Sequence, residues 1–358
     1  MTSLFDPISL GAIHCVNRIF MAPLTRGRAT QQHVPTPLMV DYYRQRAAAG
    51  LIISEATGIS QQGLGWPFAP GIWNDEQVEA WKPVTAAVHE AGGRIVCQLW
   101  HMGRLVHPDF LGGDLPVSSS AVQAPHYAHT YEGKKDYAVP RPLAVGEIPA
   151  ILADYAQAAR NAIAAGFDGV QIHAANGYLI DQFLRDTPNQ RTDDYGGSVE
   201  NRVRLLREVA GAVVDAIGAD RTGVRLSPNG DTQGCDDSDP VATFTAAAAA
   251  LDTLGIAFLE LREQRPDGTF GSSDVPPVSP HIRKVFHGPL ALNGDYGPQD
   301  SAQVLAEGRA DAIAFGRWFI SNPDLPARLK SGVALAPYDM QTFYSRGPEG
   351  YTDYPAAG

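Results

Sequence analysis

Cysteine is scarce in this chain of 358 residues, and its three cysteines are widely spaced. Cys15, Cys97 and Cys235 are odd in number, and none stands in a Cys-x-x-Cys pair. This spacing argues against a disulfide framework and against a zinc or iron–sulfur site, and it is typical of a protein of the reducing cytosol. We therefore expect a cytoplasmic protein without a bound metal.

Long apolar runs and glycine-rich nucleotide motifs are missing as well. No stretch is long enough to span a bilayer, and the first residues show no basic segment followed by an apolar run, so neither a membrane anchor nor a signal peptide is expected. Neither a Gly-x-Gly-x-x-Gly motif nor a P-loop occurs, so a Rossmann or Walker nucleotide site has no sequence support.

Basic residues are outnumbered by acidic ones. Lys and Arg total 28 against 39 Asp and Glu, which gives a formal net charge of -11. Proteins that bind nucleic acid or anionic membranes usually present a basic face, so neither is expected as a partner. The acidic balance is interpreted as a contribution to solubility.

What the sequence does contain is a regular alternation of short β-type runs with helical runs. Eight strands are predicted, at residues 18–21, 51–54, 94–99, 169–173, 223–227, 258–261, 289–292 and 312–315. Helices are predicted at residues 37–49, 74–90, 149–165, 198–217, 240–254, 298–307 and 322–329. Eight such units predict an α/β fold, a (β/α)8 TIM barrel. The rival, an open doubly wound sheet, would want a glycine-rich turn after the first strand, and none is there.

One segment interrupts this alternation after the third strand. From Trp100 to about Gly146 the chain is rich in Pro, Gly, Ser, His and Tyr, and it is too long for a simple connection. We expect either a functional lid or an excursion with small strands. The interpretation is a single domain over residues 1–358, in which residues 107–146 cap the active site.

The densest group of reactive side chains follows the fourth predicted strand. His173, Asn176 and Tyr178 lie within six residues. A His and an Asn three residues apart can direct two hydrogen-bond donors at one oxygen, and a phenol can give up a proton. A conjugated carbonyl or nitro group needs this set while it accepts a hydride. Barrel active sites lie at the carboxyl ends of the strands, so the trio predicts an active site there.

Side chains at the other strand ends are amide-rich and poor in carboxylates, which disfavours hydrolysis and favours a large polar organic cofactor. After the seventh and eighth strands, Gly294 and Gly316 would let backbone amides approach an anion, and Arg317 adds a charged group. Barrels often bind phosphate at these two loops. The three residues predict a phosphate site, with two ordinary turn glycines and a solvated arginine as the alternative.

Three polar residues match the needs of a flavin ring. Arg225 lies in an otherwise apolar strand, and a buried arginine needs an anionic or acceptor partner. The N1–C2=O2 edge of a reduced flavin would serve, and so would a structural salt bridge. Gln98 can both donate and accept, as the pyrimidine edge of a flavin demands, and Thr25 can donate its hydroxyl to the flavin O4.

The chain resembles the old yellow enzyme family, FMN-dependent ene-reductases built on a (β/α)8 barrel. The resemblance runs from end to end. The main matching stretches are MAPLTR (21–26), SEAT (54–57), QLW (98–100), HAANGYL (173–179), NQRTDDYGGSVENR (189–202), GR (316–317) and GYTDYP (350–355). Thr25 stands where a second branch carries Cys, so the chain resembles the branch with Thr.

The resemblance implies non-covalently bound FMN, NADPH or NADH as reductant, and activated alkenes and phenolic inhibitors as ligands of a monomer or homodimer. His173 and Asn176 would hold the activating oxygen of the substrate, and Tyr178 would protonate the α carbon after hydride transfer to the β carbon. The implied substrate pocket also includes Trp66, Trp100 and Tyr344. The implied cofactor-binding residues are Pro23, Leu24, Thr25, Ala56, Gln98, Arg225, Asn293, Gly294, Asp295, Gly316 and Arg317. Reduction of nitrate esters or nitroaromatics, or a non-catalytic flavin- or phenol-binding barrel, are the alternatives.

Overall fold

Eight parallel strands close into a barrel in a computed structural model, which describes residues 2–269 and 271–356. The described strands, in chain order, are β1 (Ile8–Leu10), β2 (Ile13–Cys15), β3 (Ile19–Met21), β4 (Leu51–Gly58), β5 (Ile95–Trp100), β6 (Val117–Ser118), β7 (Tyr127–Thr130), β8 (Gly133–Asp136), β9 (Arg141–Pro142), β10 (Gly169–His173), β11 (Thr222–Leu226), β12 (Phe258–Arg262), β13 (Leu290–Asn293) and β14 (Ala312–Phe315). The barrel consists of β3, β4, β5 and β10 to β14, and pairing of β14 with β3 closes it. The predicted (β/α)8 barrel is confirmed, and the open sheet is wrong.

Helices follow most barrel strands. They are α1 (Pro37–Gln45), α2 (Asp75–Glu90), α3 (Ile148–Ala164), α4 (Leu179–Leu184), α5 (Val199–Ile217), α6 (Pro240–Leu254), α7 (Ser279–Ile282), α8 (Pro298–Ala306), α9 (Arg317–Ser321) and α10 (Leu325–Ser331). Asn74 and Ser198 cap α2 and α5 as the sequence predicts, since their side chains accept hydrogen bonds from backbone N–H groups three residues on. Outward-facing strand residues such as Leu99 and Ile172 share one core with helix residues such as Tyr155 and Leu206.

A second core fills the barrel at the amino-terminal end of its strands. It contains Phe20, Val96 and Phe258, and the hairpin of β1 and β2 adds Leu10 and Ile13 from below. Strands of three residues are too short to give a periodic signal, so the sequence pattern does not predict this hairpin. The hairpin closes the end of the barrel opposite to the site described below.

Several element bounds differ from the predicted ones for local reasons. The strand β4 runs to Gly58, because a bulge between Ile53 and Ala56 shifts its register and lets pairing with β5 continue. The helix predicted over residues 322–329 is α10, which begins only at Leu325, and a separate short helix, α9, precedes it. Pro323 lies between them, and the residue before a proline is held away from helical geometry.

The excursion after β5 contains four short strands. β7 and β8 form an antiparallel hairpin, and β6 pairs in parallel with β9. Within residues 2–269 and 271–356, no helix has the length and apolarity to cross a membrane, and no three His, Cys, Asp or Glu side chains are grouped as metal ligands.

Candidate active site

A cavity of about 440 Å³ lies at the carboxyl ends of the barrel strands. Every residue that the sequence assigns to cofactor or substrate contributes to its wall. These residues are Pro23, Leu24, Thr25, Ala56, Trp66, Gln98, Trp100, His173, Asn176, Tyr178, Arg225, Asn293, Gly294, Asp295, Gly316, Arg317 and Tyr344. The structure thus brings all of them together around one space, while their individual roles stay predictions.

The chain turns between His173 and Tyr178, and the turn contains two residues with positive φ. Asn176 has a φ of 59° and Gly177 a φ of 77°. A side chain on Gly177 would place its Cβ 2.6 Å from the carbonyl oxygen of Thr232, so only glycine fits there. The backbone N–H of Asn176 donates to Ser227 Oγ at 2.7 Å, which fixes the turn against the end of β11.

His173 and Tyr178 face each other across the cavity wall. Their ring centroids lie 4.8 Å apart in an edge-to-face arrangement, and Trp100 lies 4.9 Å from the Tyr178 ring. Burial, together with the positive charges of Arg225 and Arg262, lowers the pKa of His173 well below its ordinary value. Burial raises the pKa of the Tyr178 phenol. At neutral pH the site therefore combines a neutral imidazole with a protonated phenol.

The amide of Asn176 is oriented by Arg262, a residue to which the sequence pattern gives no role. Nη1 of Arg262 donates to Oδ1 of Asn176 at 3.4 Å. Because the oxygen is engaged, the Nδ2 donor of the amide is the end left for a ligand. Burial and the neighbouring Arg225 lower the pKa of Arg262 to about 10, so it is still cationic at neutral pH. The period-two alternation of β12 could have pointed to Arg262, since Phe258, Glu260 and Arg262 lie on the inner face of the strand.

Arg225 has the structural salt bridge that the sequence left as one of two alternatives. Its Nε lies 3.4 Å from Oε1 of the fully buried Glu260, and its Nη2 donates to Oδ1 of Asn293 at 2.8 Å. Asn293 in turn donates from Nδ2 to the carbonyl of Ala314. The guanidinium also lines the cavity, so the salt bridge leaves it available to a ligand edge. The two alternatives are compatible.

At the phosphate end, close packing requires glycine at only one of the two positions, Gly294. A Cβ on Gly294, whose φ is 150°, would lie 2.2 Å from the carbonyl oxygen of Glu263, whereas a Cβ on Gly316 would meet only Leu24 at 3.5 Å. Arg317 hydrogen-bonds to Thr269 and forms an ion pair with Asp295. A cation held at the cavity wall in this way can bind a phosphate after exchanging partners.

The mouth of the cavity is formed by aromatic side chains of the carboxyl-terminal segment. Tyr344 contacts Trp66 with ring centroids 5.5 Å apart. Two buried arginines secure this segment: Arg26 donates to the carbonyl of Gly350 at 2.7 Å, and Arg28 donates to the carbonyl of Phe343 at 2.7 Å. Neither arginine is predicted as functional, because each acts on backbone carbonyls more than 300 residues away in sequence.

Comparison with known proteins assigns the chain to a family. The sequence profile of the NADH:flavin oxidoreductase / NADH oxidase family matches residues 3–336. The chanoclavine-I aldehyde reductase of Penicillium roqueforti (strain FM164) is 47% identical, over 99% of this chain and 96% of that protein. The old yellow enzyme homologue from Zymomonas mobilis has a TM-score of 0.97 and 61% identity, with 99% of each chain covered. Morphinone reductase has a TM-score of 0.95 and 44% identity, with 99% of this chain and 96% of that chain covered.

The chain belongs to the NADH:flavin oxidoreductase / NADH oxidase family. Within it, the chain is an old yellow enzyme-type FMN oxidoreductase, which confirms the resemblance seen in the sequence. FMN is its cofactor, a nicotinamide nucleotide is its reductant, and flavin-dependent alkene reduction is its class of reaction.

The cavity fits FMN by the chemistry of its wall. Apolar side chains such as Leu24 and Phe315 offer a surface for a flat ring, and Gln98 and Arg225 offer donors and an acceptor for a pyrimidine edge. The buried Nε of Arg225 is paired with Glu260 at 3.4 Å but makes no hydrogen bond in the described part of the chain, so the guanidinium is incompletely satisfied by protein groups alone. Arg317 provides the cation that a phosphate requires.

Proposed function

We propose that this chain is an ene-reductase that uses NADPH or NADH to reduce α,β-unsaturated ketones and aldehydes and nitroalkenes. The observation that carries the proposal is the meeting of His173, Asn176 and Tyr178 at one cavity wall. FMN, when bound, supplies the hydride chemistry that connects the reduced nicotinamide with the β carbon of the alkene. The protein supplies orientation, charge stabilisation and the second hydrogen, as a proton.

His173 and Asn176 are proposed to bind the activating oxygen of the substrate. The depressed pKa of His173 keeps the imidazole neutral, so one ring N–H is available as a donor while the other nitrogen carries no proton. Arg262 orients the Asn176 amide so that its N–H donor is available as the second one. Two preoriented donors stabilise the negative charge that develops on a carbonyl or nitro oxygen as the β carbon is reduced.

Tyr178 is proposed to protonate the α carbon. Its raised pKa keeps the phenol protonated throughout the neutral range, so the group enters each turnover as an acid. The packing of its ring against Trp100 and His173 holds the hydroxyl in a defined position. Proton transfer leaves a phenolate that solvent reprotonates before the next alkene binds.

The cofactor-binding roles are proposed residue by residue. Pro23, Leu24 and Ala56 would contact the ring, Thr25 its O4 atom, and Gln98 and Arg225 its pyrimidine edge. Gly316 and Arg317 would bind the phosphate. Asn293 and Asp295 would act by holding Arg225 and Arg317, because their side chains already accept hydrogen bonds or ion pairs from these arginines. Gly294 would allow the close approach of the loop to Glu263.

Residues 107–146 are proposed to cap the substrate end of the cavity. His129, on β7, lies with its ring centroid 5.1 Å from that of Trp66, which lines the cavity. Tyr131 packs on Phe68 and donates to the carbonyl of Gln31. We also propose that the chain forms a single domain, that the protein is cytoplasmic, and that it is a monomer or a homodimer.

An anaerobic visible spectrum of the purified protein tests the function. The expected result is a yellow protein that bleaches with NADPH and regains its colour when 2-cyclohexenone is added. A protein that bleaches but does not recover with the enone would contradict the proposed substrate class.

A further inference from the structure

A chain of buried polar side chains crosses the barrel directly behind the cavity. Nε2 of Gln98 donates to Oε1 of Gln171 at 2.7 Å, and Nε2 of Gln171 donates to Oε2 of Glu260 at 2.7 Å. The other carboxylate oxygen of Glu260 lies 3.4 Å from Nε of Arg225. Gln98 and Arg225 line the cavity, whereas Gln171 and Glu260 are fully buried and do not.

The register of the barrel explains how this chain of side chains spans four strands. Gln171 on β10 pairs with Gly223 on β11, and Arg225 on β11 pairs with Glu260 on β12. Gly223 has no side chain, and a Cβ there would lie 2.3 Å from the ring of Phe258. Gln171 reaches past β11 to Glu260 at this level of the barrel, where Gly223 contributes no side chain and the Phe258 ring packs against its Cα.

The carboxylate at the centre fixes the direction of every hydrogen bond in the chain. Oε2 of Glu260 accepts the hydrogen bond, so Gln171 turns its NH2 group towards the carboxyl group. The carbonyl of Gln171 then faces Gln98, which must donate from its own NH2 group. The carbonyl of Gln98 is the end left for the cavity. Without the carboxylate, either amide has two orientations of similar energy.

The same carboxylate holds Arg225 from one side, and Asn293 holds it from the other. Oδ1 of Asn293 accepts from Nη2 of Arg225 at 2.8 Å, because its Nδ2 is engaged by the carbonyl of Ala314 at 2.8 Å. Glu260 also offsets part of the positive charge of Arg225, and such offsets are large where water is absent. One buried carboxylate thus sets both the orientation of an amide and the effective charge of a guanidinium.

We propose that Glu260 and Gln171 are positioning residues of the flavin site and that Glu260 sets the reduction potential of the bound flavin. The proposal rests on the proposed function, in which Gln98 and Arg225 contact the pyrimidine edge. Glu260 orients Gln98 through Gln171. Reduction places negative charge on the pyrimidine edge of the flavin, and Arg225 stabilises that charge. Glu260 weakens this stabilisation because its own negative charge partly offsets that of Arg225. Neither residue touches the cofactor.

Glu260→Gln tests the charge. The variant leaves Arg225 uncompensated, so reduction becomes easier and the midpoint potential rises. The expected change is about tenfold in the equilibrium between oxidised and reduced holoenzyme against a reference dye, which is about 30 mV for a two-electron couple. An unchanged or lowered potential would overturn the proposal. Asp168→Asn is the control, because Asp168 is bonded to His89 and to the backbone of Ile95, outside this chain of side chains; it should leave the potential unchanged.

Gln171→Met tests the orientation and remains informative if Glu260→Gln does not fold. The change keeps the volume and removes both hydrogen bonds, so Gln98 is released. We expect a several-fold rise in the dissociation constant of FMN, and this rise should be absent when Gln171→Met is made in a Gln98→Ala background. Equal effects in both backgrounds would mean that Gln171 does not act through Gln98. Recolouring of the wild type by the enone is scored separately, so failure of this proposal leaves the proposed function standing.

Discussion

Arg262, at the end of β12, reaches across the cavity wall to the amide oxygen of Asn176, with Nη1 and Oδ1 3.4 Å apart. The two residues are 86 positions apart in the sequence and have different roles in the proposed reaction. In that reaction Asn176 would bind the substrate, and Arg262 would determine which end of the amide does so. The long distance indicates a moderate interaction, whose loss weakens orientation without abolishing binding.

We expect Arg262→Met to lower the rate of enone reduction by about tenfold, a fraction of the hundredfold or more that a complete oxyanion donor supplies. The amide of Asn176 would then turn freely, and its oxygen would face the substrate in part of the population. Single-turnover reoxidation of reduced enzyme by 2-cyclohexenone measures this rate. Arg309→Met, which removes an exposed arginine paired with Glu307, is the control and should change nothing. A full rate in Arg262→Met would contradict the orienting role.

His173→Ala should slow enone reduction by about a hundredfold or more and weaken the binding of phenolic ligands. The variant removes one of two donors from a buried site, and water in its place is not preoriented. Because the pKa of His173 lies well below its ordinary value, the imidazole stays neutral from pH 6 to 8. Phenol binding should therefore show no histidine titration in that range, and a midpoint near pH 6.5 in a spectroscopic titration would contradict the assignment.

Tyr178→Phe should separate the two half-reactions. Flavin reduction by NADPH should keep its rate, since the phenol donates no proton in that step, whereas alkene reduction should slow by about a hundredfold or more. In the wild type, the raised pKa of Tyr178 keeps the acid protonated, so the rate of the alkene step should stay level from pH 7 to 10 rather than fall near the ordinary phenol pKa. Stopped-flow measurement of each half-reaction tests both points. Equal slowing of the two steps would remove Tyr178 from its proposed role.

The strands and the site trio follow from the sequence because they depend on local order. Val170 and Ile172 alternate with polar neighbours, and His173, Asn176 and Tyr178 stand within six residues. The buried residues that hold the site residues in place could not be predicted from the sequence, because their contacts join residues far apart in it. Gln171 and Glu260 are 89 residues apart, and each is unremarkable within its own strand. Only closure of the barrel, which sets the register between strands, brings such pairs together.

Gly294 and Gly316 offer a matched test of backbone geometry. Gly294→Ala should lower the free energy of unfolding of the apoprotein by about 2–4 kcal/mol, because the new Cβ would lie 2.2 Å from the Glu263 carbonyl at a φ of 150°. Gly316→Ala has room for its Cβ and a negative φ of -92°, and should cost less than Gly294→Ala does. Urea denaturation of both apoproteins makes the comparison. Similar losses in both variants would show that the close approach at Gly294 is not what requires glycine.

Glu55, buried behind the cavity wall, should make stability depend on pH. Burial raises its pKa to about 7, although the Arg26 backbone N–H and the Tyr43 hydroxyl both donate to it. The folded state therefore holds a proton that the unfolded state releases near pH 4.5. The stabilisation is full below that pH, declines between 4.5 and about 7, and is gone above, so the free energy of unfolding should fall by a few kcal/mol across this window. Glu55→Gln cannot titrate and should lack this decline. Urea denaturation of the two apoproteins across this pH range makes the comparison. If the free energy of unfolding declines equally in wild type and variant, a group other than Glu55 binds the proton.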